Sequence, residues 1–380
     1  MVFCKGKNPT VNLYYGSQPL HQVTSYKYLG ILFCSNGSFT LCQEDLFKRA
    51  SRAYFKMSKY FVDCKSSIRT FLKLFDHIVK PILLYACEIW GTINITSTIV
   101  QKDDYLLEHS FKNMYCDKLH LKSLKYILGV HKKSVNDAVL GETGRYPLYI
   151  NIVTHCTKYF SRLIEADQST LLFAAFQESC TLSENNKPSW MSSIKFLFNK
   201  LKIEQHQHYL GNLFNTVKSR AIEDYRINWS KRLEKSKNEN TGKLRTYATF
   251  KTHFCFEPYL TIIKDPYIKS LVTKFRISAH KLEIETGRYT NVAVENRICK
   301  CCALQHVENE QHFLLKCPLY AMPRTVYLST VSSIVKHFDD LTLHDQFVYL
   351  MSSENDEIIS ATGNFIHQCN SLRLKHLATC

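Results

Sequence analysis

No run of about 18 uninterrupted apolar residues occurs in this sequence, so a membrane-spanning helix is not expected. The best candidate, residues 78–90, is broken by Lys80, Pro81 and Glu88. The opening residues, Met1-Val2-Phe3-Cys4-Lys5-Gly6-Lys7, lack the apolar core of a secretory signal. That absence predicts an intracellular protein of the cytoplasm or nucleus with no membrane partner. Asn36, Asn94 and Asn228 each begin an Asn-x-Ser/Thr triplet, and without a secretory route these are chance matches. No internal repeat at solenoid periods is present. Acidic side chains are in deficit, 33 against 49 basic ones, which leaves a formal net charge of +16 and points to a polyanionic partner such as nucleic acid.

What is present in quantity bounds the fold class. Hydrophobic residues make up 45 % and aromatics 13 %, which excludes a wholly disordered chain. A length of 380 residues allows two or three domains and a sizeable core. Fifteen cysteines, an odd and scattered set, read as reduced thiols plus a metal site and not as a disulfide framework.

The order of patterns predicts a mainly α protein with a β start and a small cysteine-rich module near the end. Val11-Asn12-Leu13-Tyr14-Tyr15, residues 20–23 and residues 26–33 are short apolar runs separated by turn material, Gly16-Ser17-Gln18-Pro19 and Asn36-Gly37. They predict a small antiparallel β meander over residues 1–40. Helices are expected from 41 onward. Leu46, Ala50, Ala53, Met57 and Tyr60 recur at helical spacing, with Lys48, Arg49, Arg52, Lys56 and Lys59 on the remaining faces. A second helix is expected from Ser67 to Pro81, which should kink or end it. Residues 102–128 repeat the amphipathic pattern in two pieces. Gly141-Glu142-Thr143-Gly144-Arg145-Tyr146-Pro147 reads as a loop. A long helical section is expected from 148 to about 176, with exposed connectors at 181–189 and 231–243. The implied divisions are 1–40, 41–140, 141–285, 286–325 and a helical tail, 326–380.

The sharpest chemistry lies in Arg297-Ile298-Cys299-Lys300-Cys301-Cys302, followed by His312 and Cys317. Cys299 and Cys302 form a Cys-x2-Cys pair. Three thiolates and one imidazole meet the demand of a structural zinc for four soft or borderline ligands in a tetrahedron. His312 and Cys317 can share a face of a short helix that Pro318 then stops. All four positions are protein ligands, so a hydrolytic zinc is not expected. Cys301 and His306 are alternative members that another register would use.

In this order the motifs resemble a known family. Lys27-Tyr28-Leu29-Gly30-Ile31 resembles the primer-grip strand of non-LTR (LINE-type) retrotransposon reverse transcriptases, and Met1-Val2-Phe3 the end of the strand that closes their palm. Pro81-Ile82-Leu83-Leu84-Tyr85-Ala86-Cys87-Glu88-Ile89-Trp90-Gly91 is similar to the P-x-L-L-Y-G-x-E-x-W-G segment of their thumb. Gly141 to Pro147, Lys243-Leu244-Arg245-Thr246-Tyr247, Phe275-Arg276-Ile277-Ser278-Ala279-His280 and the Cys-Cys-His-Cys cluster follow in the family's order. The nine residues between Cys302 and His312 exceed the four of an ordinary zinc knuckle and suit the LINE-type cluster.

The resemblance implies a palm-end meander, a thumb, a helical linker and a zinc module. It also implies that the polymerase carboxylates belong to elements upstream of this chain, so no catalytic residue is expected here and magnesium would serve only the complete parent enzyme. Asp103-Asp104 and Asp339-Asp340 do not sit in a hairpin of apolar strands and read as solvated acids. The expected role is therefore a zinc-containing, nucleic-acid-binding part of a LINE-type reverse transcriptase, with RNA, DNA, an RNA–DNA hybrid or the parent element's RNA as partner. Tyr26, Lys27 and Tyr28 would hold a backbone as a primer grip does, while Lys48, Arg49, Arg52, Lys56 and Lys59 would follow a duplex. Lys122, Lys125, Lys132 and Lys133, with Tyr126 among them, form a second basic set suited to backbone contact and stacking. The competing expectation is a protein-interaction module with a structural zinc finger and no nucleic-acid role.

Overall fold

Among the described residues, strands are confined to the first 34 positions and helices carry the rest. The computed structural model describes residues 1–4, 6, 9–63, 67–92, 95, 106–204, 212–240 and 242–379. The chain is 63 % helix and 5 % strand, so the mainly α expectation holds. In chain order the elements are β1 (Leu13–Tyr15), β2 (Gln18–Leu20), β3 (Ser25–Tyr28), β4 (Ile31–Cys34), α1 (Thr40–Asp63), α2 (Ile68–Leu74) and α3 (Lys80–Leu83). There follow α4 (Cys87–Trp90), α5 (Leu107–Ser110), α6 (Tyr115–Ile127), α7 (Asn136–Thr143), α8 (Tyr149–Ile164), α9 (Leu171–Glu184), α10 (Trp190–Lys200) and α11 (Leu213–Asn238). The remainder are α12 (Tyr247–Phe250), α13 (Tyr259–Ile262), α14 (Pro266–Arg276), α15 (Glu283–Thr286), α16 (Ala321–Ile334), α17 (Leu343–Ser352) and α18 (Asp356–Thr379). The chain divides into two units: Met1–Ser66, Thr70–His120 and Tyr146–Tyr225 form unit 1, and Ser67–Arg69, Leu121–Arg145 and Arg226–Cys380 form unit 2.

In unit 1 the expected meander is instead two separate two-stranded ribbons, β1–β2 and β3–β4. The apolar run 26–33 is not one strand. Leu29 and Gly30 take φ of 47° and 84°, the left-handed pair that a two-residue hairpin turn requires, and they reverse the chain so that Tyr28 faces Ile31. Only β4 buries residues, Ile31 and Cys34. Helix α1 turns Cys42, Leu46, Ala50, Tyr54 and Met57 inward, whereas Tyr60, expected on that face, is exposed. Ring contacts from Tyr54 and Phe61 to Phe71 tie α1 to α2.

Pro81 does not end its helix at once. A π turn over Phe75–Val79 precedes α3, and Pro81 sits in the first turn of α3, where no intrahelical donor is needed. Ala86 then adopts a left-handed conformation (φ 53°, ψ 28°) and starts α4, which packs on α8. The Trp90 indole donates to the Tyr85 carbonyl (2.8 Å), and that of Trp190 to the Glu88 carbonyl (2.9 Å). The expected section 148–176 is two helices, α8 and α9, and α9 continues to Glu184. The polar stretch 181–189 is therefore connector only from Asn185 onward.

Unit 2 corrects two further expectations. Gly141, Glu142 and Thr143 are the last turn of α7, not a loop. Gly141 is there for close approach, since a Cβ would lie 2.6 Å from the Tyr247 hydroxyl and 2.9 Å from the Trp229 ring. Most of 231–243 is the end of α11, not a connector: Trp229 and Leu233 are buried, and Arg232 pairs with Asp137 at 2.9 Å. Few apolar residues sufficed because a helix end needs only one buried residue per turn. The core is closed by α14, α16 and α17 against α18.

Charged groups are buried in this core. Arg276 donates to both oxygens of Glu142 (2.8 and 2.9 Å) and to Glu257 (2.7 Å). Burial opposes ionisation of Glu142, yet the Arg276 and Lys251 charges and hydrogen bonds hold its carboxyl below the ordinary range.

Candidate metal centre and basic faces

The segment 297–317 folds so that Cys299, Cys302, His312 and Cys317 converge. An isolated bridge between Ile298 and Val307 makes a rudimentary hairpin, in which the Cys299 amide donates to His306 O (2.9 Å) and that of Glu308 to Arg297 O (2.9 Å). At its tip the Cys301 amide donates to Cys299 Sγ at 3.4 Å. Arg297 braces the base by donating to the carbonyls of Val292 (3.0 and 2.9 Å) and Ile284 (2.8 Å).

The other two ligands come from a π turn, His312–Lys316, which Asn309 opens by accepting the His312 amide at 2.8 Å. In an α-helix, residues five apart diverge by about 140° at 100° per residue. Here the Cys317 amide bonds back to His312 O at 2.8 Å, an i→i+5 bond that stacks the two ligands on one side. Pro318 follows and begins a 3₁₀ turn, so the segment stops where its proline requires. Arg324 caps the freed carbonyls of Leu314 (2.9 Å) and Cys317 (2.8 Å).

Cys299, Cys302, His312 and Cys317 each offer a donor atom, and these atoms all lie within 4.8 Å of one another. The four could hold a metal ion. Cys299 Sγ and Cys317 Sγ are 4.0 Å apart, and Cys302 Sγ is 3.5 Å from His312 Nε2. A tetrahedron with metal–sulfur bonds of about 2.3 Å has edges of about 3.8 Å, so the donors already stand near the required spacing. The shared hydrogen from Cys317, acting against burial, pushes the Cys299 thiol down to about 3 and raises its partner. Cys301 is turned instead toward buried Glu308, and burial pushes its thiol up to about 12. His306 is exposed, its ring 6.0 Å from that of His312.

The basic residues differ in exposure and in pairing. Tyr26 and Tyr28 project from β3 into solvent, so neither faces a core. Lys27 pairs with Asp45 at 3.0 Å, and Arg49 donates to Gly30 O at 3.2 Å. Tyr85 donates to Leu29 O at 2.9 Å, so the hairpin tip is pinned to α1 and to the segment before α4. Lys48, Arg52, Lys56 and Lys59 stay exposed along α1 and form no ion pair among the described residues. In unit 2, Lys122, Lys132 and Lys133 are exposed, whereas half-buried Lys125 donates to Lys132 O at 2.8 Å. Asp339 accepts from Ser332 (3.1 Å) and Asp340 from His337 (2.9 Å), both at the surface, while Asp103-Asp104 lies outside the described residues.

Two groups beside the metal ligands gave no sequence signal. Glu308 accepts two bonds from Arg373 (2.7 and 2.8 Å), and Glu310 meets Arg245 (3.2 Å), Ser278 (3.0 Å) and His280 (3.0 Å). Their partners lie 30 to 65 positions away along the chain, beyond the reach of any local pattern.

Comparison with protein-family models, curated proteins and solved structures returns no match. Among the described residues no helix is long and apolar enough to cross a membrane.

Proposed function

We propose that this chain is a nucleic-acid-binding, zinc-containing protein related to the thumb and C-terminal part of LINE-type reverse transcriptases, holding an RNA, DNA or hybrid backbone without polymerase chemistry of its own. The observation that carries the reading is the free cationic face of α1, Lys48, Arg52, Lys56 and Lys59, beside exposed Tyr26 and Tyr28. Lys27 and Arg49 serve the scaffold, so the remaining four are left for phosphates. No Ala-Asp-Asp sequence occurs in this chain. The ion at Cys299, Cys302, His312 and Cys317 is Zn²⁺ in this reading, because three thiolates and an imidazole favour it over harder cations.

Each phosphate neutralised adds about 0.9 to the salt slope of binding. Replacing Lys48, Arg52, Lys56 and Lys59 together by Gln should therefore lower the slope for an RNA–DNA hybrid by about 3–4 and weaken binding at low salt. Unchanged affinity and slope would sink the assignment. For the metal, zinc should copurify with the chain, and the Cys299→Ser, Cys302→Ser double variant should retain one equivalent less than wild type.

One observation favours a protein partner instead. The β1–β2 ribbon exposes Leu13, Tyr14, Tyr15 and Leu20 on both faces. Indifference to nucleic acid together with a stable hetero-complex would select that reading.

A further inference from the structure

A second group of metal-ligating side chains lies in unit 1, away in sequence from the Cys299–Cys317 cluster. Cys87 and Glu88 open α4, His155 comes from α8, and their donor atoms all lie within 4.8 Å of one another. Glu88 and His155 line a groove of about 440 Å³ with Lys80, Tyr85, Ala86 and Asn151, and Cys87 is buried. We propose that Cys87, Glu88 and His155 form a cation site for a borderline divalent ion of the Zn²⁺ or Co²⁺ type, with its fourth position open to the groove.

The donor set fits such an ion. One sulfur, one carboxylate oxygen and one imidazole nitrogen are the three ligand types that borderline cations accept, and three protein ligands with one exchangeable position is the pattern of an open site. Neither the Glu88 carboxylate nor the His155 ring forms an ion pair or hydrogen bond among the described residues, so both are available. The ammonium of Lys80, which lines the groove, is held by Asp76 at 2.8 Å. Cys87 is wholly buried, as is Cys317 in the other cluster, so burial of the thiol does not separate the two.

The backbone that carries the ligands is fixed beforehand. The Cys156 thiol lies 3.6 Å from the Cys87 carbonyl and 3.8 Å from that of Glu88, and Trp190 donates to the latter at 2.9 Å. The residue before the pair, Ala86, has φ of 53°, an energetically disfavoured conformation for a side-chain-bearing residue. Glu88 and His155 both line the groove, and the buried Cys87 thiol lies within 4.8 Å of both donor atoms. Closing the donors onto an ion requires side-chain shifts of about 1 Å, since tetrahedral edges for one sulfur, one oxygen and one nitrogen are about 3.3–3.6 Å.

The full chain, stripped by chelator and titrated with Co²⁺ under visible absorption and metal analysis, tests this. Wild type should take up two equivalents that survive passage through metal-free buffer. His155→Ala and Glu88→Gln should each take up one, and the Cys299→Ser, Cys302→Ser variant should also keep one, which separates this site from the zinc reading. The second equivalent should show thiolate-to-cobalt absorption that vanishes in Cys87→Ala. Because Cys87 lies in the core, the stoichiometry is judged on the two groove variants. Absence of bound cobalt in the Cys299→Ser, Cys302→Ser variant, or uptake of two equivalents by the His155→Ala, Glu88→Gln double variant, overturns the proposal.

Discussion

Ala86 carries a side chain at φ of 53°, in the left-handed region that glycine enters without steric cost. A Cβ in the left-handed region costs about 1–2 kcal/mol, partly offset by the greater freedom glycine has in the unfolded chain. Ala86→Gly should stabilise unit 1 by about 1 kcal/mol, read as a higher urea midpoint at unchanged slope. Glu142 makes the opposite point for a charge. Its folded carboxyl titrates below the unfolded one, so the stabilisation it supplies is present above the ordinary carboxylate range and is lost as pH falls through it. Glu142→Gln would leave Arg276 with Glu257 as its only carboxylate partner and should cost about 3 kcal/mol at pH 7. The gap between variant and wild-type melting temperatures should shrink below pH 4; a gap that stays constant with pH would contradict that direction of linkage.

At the scale of elements, spacing was legible and context was not. The face of α1 could be read because Leu46, Ala50 and Met57 repeat at helical intervals. The ligands could be read because cysteine and histidine at those spacings have few other uses. The turn at Leu29-Gly30 was missed because half of a left-handed pair is leucine, and the end of α7 was missed because Gly141 serves packing, not a turn. The end of α11 was misjudged for its charge, which hides a single buried stripe. The π turn at His312–Lys316 leaves no local trace beyond the four-residue gap to Cys317, yet Arg324 holds its carbonyls. Arg324→Gln should weaken metal retention about tenfold or more in a chelator competition, as loss of an outer support does at other sites.

At the scale of the whole molecule, the cluster at 299–317 is embedded in unit 2. Arg373 of α18 reaches Glu308, and Arg245, Ser278 and His280 reach Glu310. The unfolded chain holds no preformed site, so metal binding energy is folding energy. Chelation should therefore speed amide exchange in α18 and in residues 280–320, while α1 in unit 1 keeps its protection. Equal loss of protection in both units would refute that separation.

The two buried carboxylates also bear on whether this centre is portable. A peptide cut at 286–325 would keep all four ligands, but Glu308 and Glu310 would lose Arg373, Arg245, Ser278 and His280. Grafted onto another scaffold, it would bring two acids whose partners stay behind in the parent. Independent zinc fingers can be strung as beads, whereas this cluster is a keystone, cut to fit a single arch.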